Sequence, residues 1–138
     1  AAAEELTVEA RAEFKKTAGN EAFKEGNYQQ AAVFYTEALA LPTTAHHHVI
    51  FSNCAACMLK LGRYEQALQH CEASLALNPT PKAHFRKGLA LQALQKFVEA
   101  HAAFSKSLEM EPKNAQAKSA LQMCQMQLER QQRQRAGQ

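Results

Sequence analysis

Gly26-Asn27-Tyr28-Gln29-Gln30-Ala31 is followed 36 residues later by Gly62-Arg63-Tyr64-Glu65-Gln66-Ala67, and after a further 33 by Gln95-Lys96-Phe97-Val98-Glu99-Ala100. Each copy reads as the end of one helix, a tight turn, and an aromatic residue that opens the next helix. The same offsets align Gly19 with Ala55 and Gly88, Tyr35 with Cys71 and Phe104, and Pro79 with Pro112. Agreement in so many columns marks an internal repeat of a length suited to a helical hairpin. Small residues in the Ala31, Ala67 and Ala100 column let two helix backbones approach, and Tyr28, Tyr64 and Phe97 are expected to fill the space beside them. Pro79, Pro81 and Pro112 fall between units, where Thr80-Pro81 supplies a cap and a first-turn proline for the next helix.

Working outward gives an all-α chain of three helical hairpins, at about 12–47, 48–80 and 81–114. Leu121, Cys124 and Leu128 then recur at helical spacing and define a capping helix over about 115–135, which keeps the last repeat from leaving its apolar face in water. One domain, 1–138, is expected, and 46% hydrophobic residues supply its core without cross-links. The basic, glutamine-rich stretch from Gln125 to Gln138 reads as a solvated helix end that frays.

Several function classes fall away. A formal charge of +3 does not mark a nucleic-acid binder, and no stretch approaches the roughly 20 apolar residues that span a bilayer. Glu4 and Glu5 stand where a targeting segment would be basic and then apolar, so a monomeric, cytoplasmic domain is expected. Cys54, Cys57, Cys71 and Cys124 lie inside helical stretches, which suits a reducing compartment; Cys54-Ala55-Ala56-Cys57 lacks the second pair a zinc site needs and reads as buried apolar thiols. His46-His47-His48 reads as loop followed by a helix start. Neither catalytic residues nor a metal or other cofactor are expected.

A donor set remains. Lys16 and Asn20 are four apart on the first helix, as are Lys82 and Arg86 on the fifth, so each pair projects from one side of its helix. Asn53 sits in the intervening first helix. Stacked hairpins bring the first helix of every repeat to a common concave face, where these five residues offer two ammonium groups, a guanidinium and two amides, with no acid among them. His84 lies on the same face, and Phe23, Phe51 and Phe85 are placed by their periodicity in the core rather than in a pocket wall.

Over about Ala12 to Asn114 the sequence resembles the tetratricopeptide-repeat family, through the small residues in mid-helix, the Gly-Asn-Tyr and Gly-Arg-Tyr turns, the Ala that follows and the closing Pro. The resemblance implies a right-handed superhelical solenoid. Departures from the pattern are Thr43 where Pro is usual, Gln95 in place of a turn Gly, and two extra residues in the first junction around Pro42 to His48. Lys16 and Asn20, Asn53, and Lys82 and Arg86 each match the two-carboxylate clamp of the family's co-chaperone members. That match implies a partner, the C-terminal Glu-Glu-Val-Asp of the seventy- and ninety-kilodalton heat-shock chaperones, and a role as adaptor rather than enzyme. The other reading of the same scaffold is a groove for an internal peptide or helix of another assembly.

Overall fold

The computed structural model describes residues 6–137, so Glu4, Glu5 and the terminal Gln138 lie outside the described residues. Seven helices follow in order among the described residues: α1 Val8–Lys24, α2 Tyr28–Leu39, α3 His47–Lys60, α4 Tyr64–Leu77, α5 Pro81–Ala93, α6 Phe97–Met110 and α7 Ala115–Ala136. They pack as antiparallel pairs, α1 with α2, α3 with α4 and α5 with α6, and α7 closes the array against α6. No strand occurs among the described residues. Among the described residues no helix is long and apolar enough to cross a membrane.

Local chemistry sets the helix ends. Thr7, Thr80 and Asn114 accept hydrogen bonds from the backbone N–H three residues on, at 3.0, 3.1 and 3.0 Å, and so satisfy donors that α1, α5 and α7 cannot pair internally. The three intra-hairpin turns are one structure repeated. Gly26 and Gly62 take left-handed φ values of 82° and 73°, and Asn27 and Arg63 donate back to Ala22 O and Met58 O, both at 2.8 Å. Gln95 adopts the same conformation at φ 62°, with Lys96 donating to Leu91 O at 2.9 Å. The turn is therefore dictated by the flanking helices strongly enough to hold a side chain where glycine is preferred.

Within each hairpin, packing rests on the two aligned columns. A Cβ added to Gly19 would sit 2.5 Å from Tyr35 Cε1, and one added to Gly88 would sit 2.5 Å from Phe104 Cε1. The rings occupy the volume that a glycine leaves vacant. In the middle hairpin Ala55 and Cys71, both fully buried, fill these columns, a larger residue on one helix matched by a smaller one on the other. Buried serines add a second tie: Ser74 Oγ donates to His48 O at 2.7 Å and Ser107 Oγ to Pro81 O at 2.9 Å, each fixing a second helix against the start of the first.

One expectation needs correction. Tyr64 does not fill the interior beside Ala67; it is 36% exposed and borders the groove described below. At the C-terminus α7 is helical to Ala136 and exposed from Gln132 onward, and before that Gln92 Nε2 donates to Gln127 Oε1 and Gln131 Nε2 to Gln95 O at 3.2 Å across the last turn.

The column packing has a measurable consequence. Gly88→Ala should lower stability by about 1–3 kcal/mol in urea denaturation, because the Phe104 ring is wholly buried and has no room to withdraw. Adding Phe104→Cys, the pairing of the middle hairpin, should cost less than the sum of the two single changes by at least about 0.5 kcal/mol. Strict additivity would show that the two columns do not share one volume.

Candidate functional site

The first helices of the three hairpins form a row in which α1 touches α3 and α3 touches α5. Asn20 on α1, Asn53 on α3 and Arg86 on α5 meet in one cavity of about 230 Å³, together with Phe23, Lys24, Tyr35 and Ala56. A larger cavity of about 670 Å³ adjoins it, sharing Phe23, Ala56 and Arg86 and running past Lys82, Phe85 and Leu89 to Gln116 and Gln127 of α7. A third, about 210 Å³, lies between Asn53 and Lys82. The three share lining residues and form a continuous groove lined by both apolar and polar side chains.

Within the groove the polar atoms are ordered by one another. Asn20 Oδ1 accepts from Tyr35 Oη at 2.5 Å and from Asn53 Nδ2 at 3.2 Å. Asn53 Oδ1 in turn accepts from Arg86 at 3.4 Å, and the same guanidinium nitrogen donates to Ser52 O and Ser52 Oγ, both at 2.9 Å. Both amide oxygens thereby accept hydrogen bonds, Asn20 Oδ1 two and Asn53 Oδ1 one. Asn20 Nδ2, which has no acceptor among the described residues, and the remaining guanidinium N–H groups are left to face the cavity as donors. Burial draws the Arg86 pKa below its usual value, yet a guanidinium starts so high that the charge persists at neutral pH.

The five expected residues are not equivalent. Asn20, Asn53 and Arg86 share the cavity, while Lys82 is exposed at the junction of its two neighbours. Lys16 lies one turn before Asn20, but its ammonium is 3.1 Å from Glu13 Oε2, an acid the spacing argument left out. Phe23 and Phe85 do both jobs set as alternatives above: each packs partly against the core and walls the groove, Phe85 with its ring 5.5 Å from Phe104. Phe51 lies elsewhere, stacked on His70. His84 is absent from the lining of these cavities, and desolvation, then Lys87 and Lys106, lowers its pKa.

Tyr35 was missed as a site residue. Its signal was present, since Phe104 does the same packing without a hydroxyl, so the oxygen on Tyr35 needed another explanation.

The cysteine pair sits outside this chemistry. All four thiols are free and buried, and burial pushes Cys54 up to about 11 and Cys57 and Cys71 up to about 12. The nucleophilic thiolate is accordingly scarce near neutrality.

Comparison with known proteins places the chain. The Tetratricopeptide repeat family profile matches residues 22–94, and a second profile of that description matches residues 81–114. The chain belongs to the tetratricopeptide-repeat family. It is 38% identical over 112 residues to Tetratricopeptide repeat protein 28 of Homo sapiens, a match covering 79% of this chain and 4% of that protein. The first tetratricopeptide domain of Spaghetti (RPAP3) bound to the HSP90 peptide SRMEEVD superposes with a TM-score of 0.81 at 33% identity, covering 86% of this chain and 93% of that one. The second such domain of human RPAP3, in complex with the HSP70 peptide SGPTIEEVD, gives 0.79 at 32% identity, with 86% and 98% covered.

The buried acids have a pH signature. Burial also raises Tyr35 to about 12, so Tyr35, Cys54, Cys57 and Cys71 are all held protonated by the fold. Their raised values place this contribution fully below the ordinary thiol value near 9.0 and remove it as pH climbs towards about 12. The urea midpoint should therefore fall between pH 8.5 and about 11, and fall less in Cys57→Ala, compared with its own value at neutral pH. A midpoint flat across that range would contradict the burial of these groups.

Proposed function

We propose that this domain is a co-chaperone adaptor that binds the free C-terminus of seventy- or ninety-kilodalton heat-shock chaperones ending in Glu-Glu-Val-Asp. Lys16, Asn20, Asn53, Lys82 and Arg86 are its carboxylate-binding residues. The observation that carries the reading is the hydrogen-bond chain from Tyr35 through Asn20 and Asn53 to Arg86, which engages both amide oxygens and orders a donor-rich set around one cavity. A C-terminal Asp offers two carboxylates on one residue, the ligand such a donor cluster suits. Both similar domains described above hold peptides that end in EEVD.

Asn20 and Asn53, with Lys16, surround the terminal carboxylate, and Lys82 and Arg86 meet the Asp side chain. The domain then does no chemistry of its own; tetratricopeptide repeats are protein-interaction modules, and this one recruits a chaperone to whatever the rest of its protein carries. The preordered amides reduce the cost of fixing the site, while the extended peptide still loses conformational freedom on binding.

A titration by calorimetry at fixed salt tests this. The Glu-Glu-Val-Asp peptide with a free C-terminus should bind at about micromolar Kd, near –8 kcal/mol, and its C-terminal amide at least about tenfold more weakly. Lys82→Ala should cost about 1–3 kcal/mol without loss of helicity, since this side chain is exposed and ties no helices together. Raising the salt should weaken the complex by screening it. Equal affinity for acid and amide would refute the proposal and favour the alternative, a groove for an internal peptide or helix.

A further inference from the structure

Lys16 differs from the other four donors in already holding a carboxylate among the described residues. Glu13 Oε2 lies 3.1 Å from Lys16 Nζ, and the same oxygen lies 3.0 Å from His46 Nε2. His46 belongs to the junction between α2 and α3, the connection with four residues more than the next. It takes a left-handed φ of 62° and caps α3, its carbonyl accepting from Ile50 N at 2.9 Å. Thr43 of the same junction reaches Glu9 Oε1 at 3.4 Å. The lengthened loop is thus laid along α1 through two acids one turn apart, and the second of these acids also holds Lys16.

An ammonium with a carboxylate 3.1 Å away is a weaker attractor for a second one. An incoming anion must displace Glu13 or share the cation with it, and the two negative groups repel. Displacement is eased because Glu13 also lies against His46 and has a side chain 49% exposed, whereas the Lys16 side chain is only 17% exposed and sits one turn before Asn20 on α1. The lysine stays, and the glutamate swings.

We propose that Glu13 sets the affinity of the groove: in the free domain it occupies Lys16 as an internal stand-in for a ligand carboxylate, and on binding it passes to His46. The inference rests on the peptide-terminus reading above. Glu13 opposes binding, and His46 relieves that opposition by holding the displaced carboxylate.

The two residues therefore act with opposite signs, which a calorimetric titration of the free-carboxyl peptide at constant pH can read. Glu13→Gln should tighten binding about 2- to 5-fold, in line with the worth of an exposed ion pair, with a larger gain at low salt. His46→Gly, which keeps the left-handed backbone while removing the ring, should weaken it by a similar factor. In a Lys16→Ala background Glu13→Gln should lose most of its gain, and in a Glu13→Gln background His46→Gly should have no effect. Binding by the unaltered domain with equal or weaker binding by Glu13→Gln would overturn this inference alone. No binding of the free-carboxyl peptide by the unaltered domain would overturn the proposed function and this inference with it.

Discussion

The ring of Tyr35 lies in the space above Gly19, and its hydroxyl bonds to Asn20, the very next residue of α1. One side chain therefore sets the approach of the first two helices and the orientation of the first amide in the groove. From Asn20 the order propagates to Asn53 on α3 and Arg86 on α5, so that three hairpins are tied along the groove by bonds that run from one first helix to the next. Arg86 also grips the Ser52 carbonyl, which makes it a structural cross-link as well as a charge facing the cavity. Loss of its guanidinium would leave a buried carbonyl and an amide oxygen short of partners, a penalty that falls on the fold as well as on the site.

This coupling explains why the repeat was so legible. Gly19, Ala55 and Gly88 recur because each second helix must seat one residue of the Tyr35, Cys71 and Phe104 column there, and steric complementarity of this kind leaves a periodic mark. The donors Asn20, Asn53 and Arg86 fall within two residues of those small residues, so the columns that reveal the fold also index the groove. Periodicity could not assign the aromatic residues to core or groove, because Phe23 and Phe85 serve both and one helical face grades into the other without a break. Tyr64 was misplaced for the same reason.

What stayed hidden depends on pairs far apart in the chain. Gln131 reaches the carbonyl of Gln95, a contact that exists only once α7 has folded back over the final turn. That turn is also the one built on a non-glycine residue, so the glutamine ties down a carbonyl beside the most strained backbone of the three turns. The serine ties from Ser74 and Ser107 likewise need the hairpin before they can be seen. Their equivalent in the first hairpin is Ala38, which has no hydroxyl to give, and there the start of α1 is fixed by the threonine cap and by the junction loop instead.

The first junction is where the repeat is least regular and where the loop touches Glu13, the acid that holds Lys16. These two facts have a common origin. The regular spacing seen between later units fixes a short connection whose backbone is settled by the helices on either side, and such a connection has little freedom to reach back to α1. The four additional residues between α2 and α3 let the chain pass through His46 in a left-handed conformation and lay Thr43 and His46 against Glu9 and Glu13. Among the described residues the first hairpin packs against only one neighbouring hairpin, which leaves room for such an excursion. The repeat thus fixes the geometry of the donors while the irregular first junction adjusts the charge beside one of them, and affinity becomes a property of that junction rather than of the packing that holds the hairpins together.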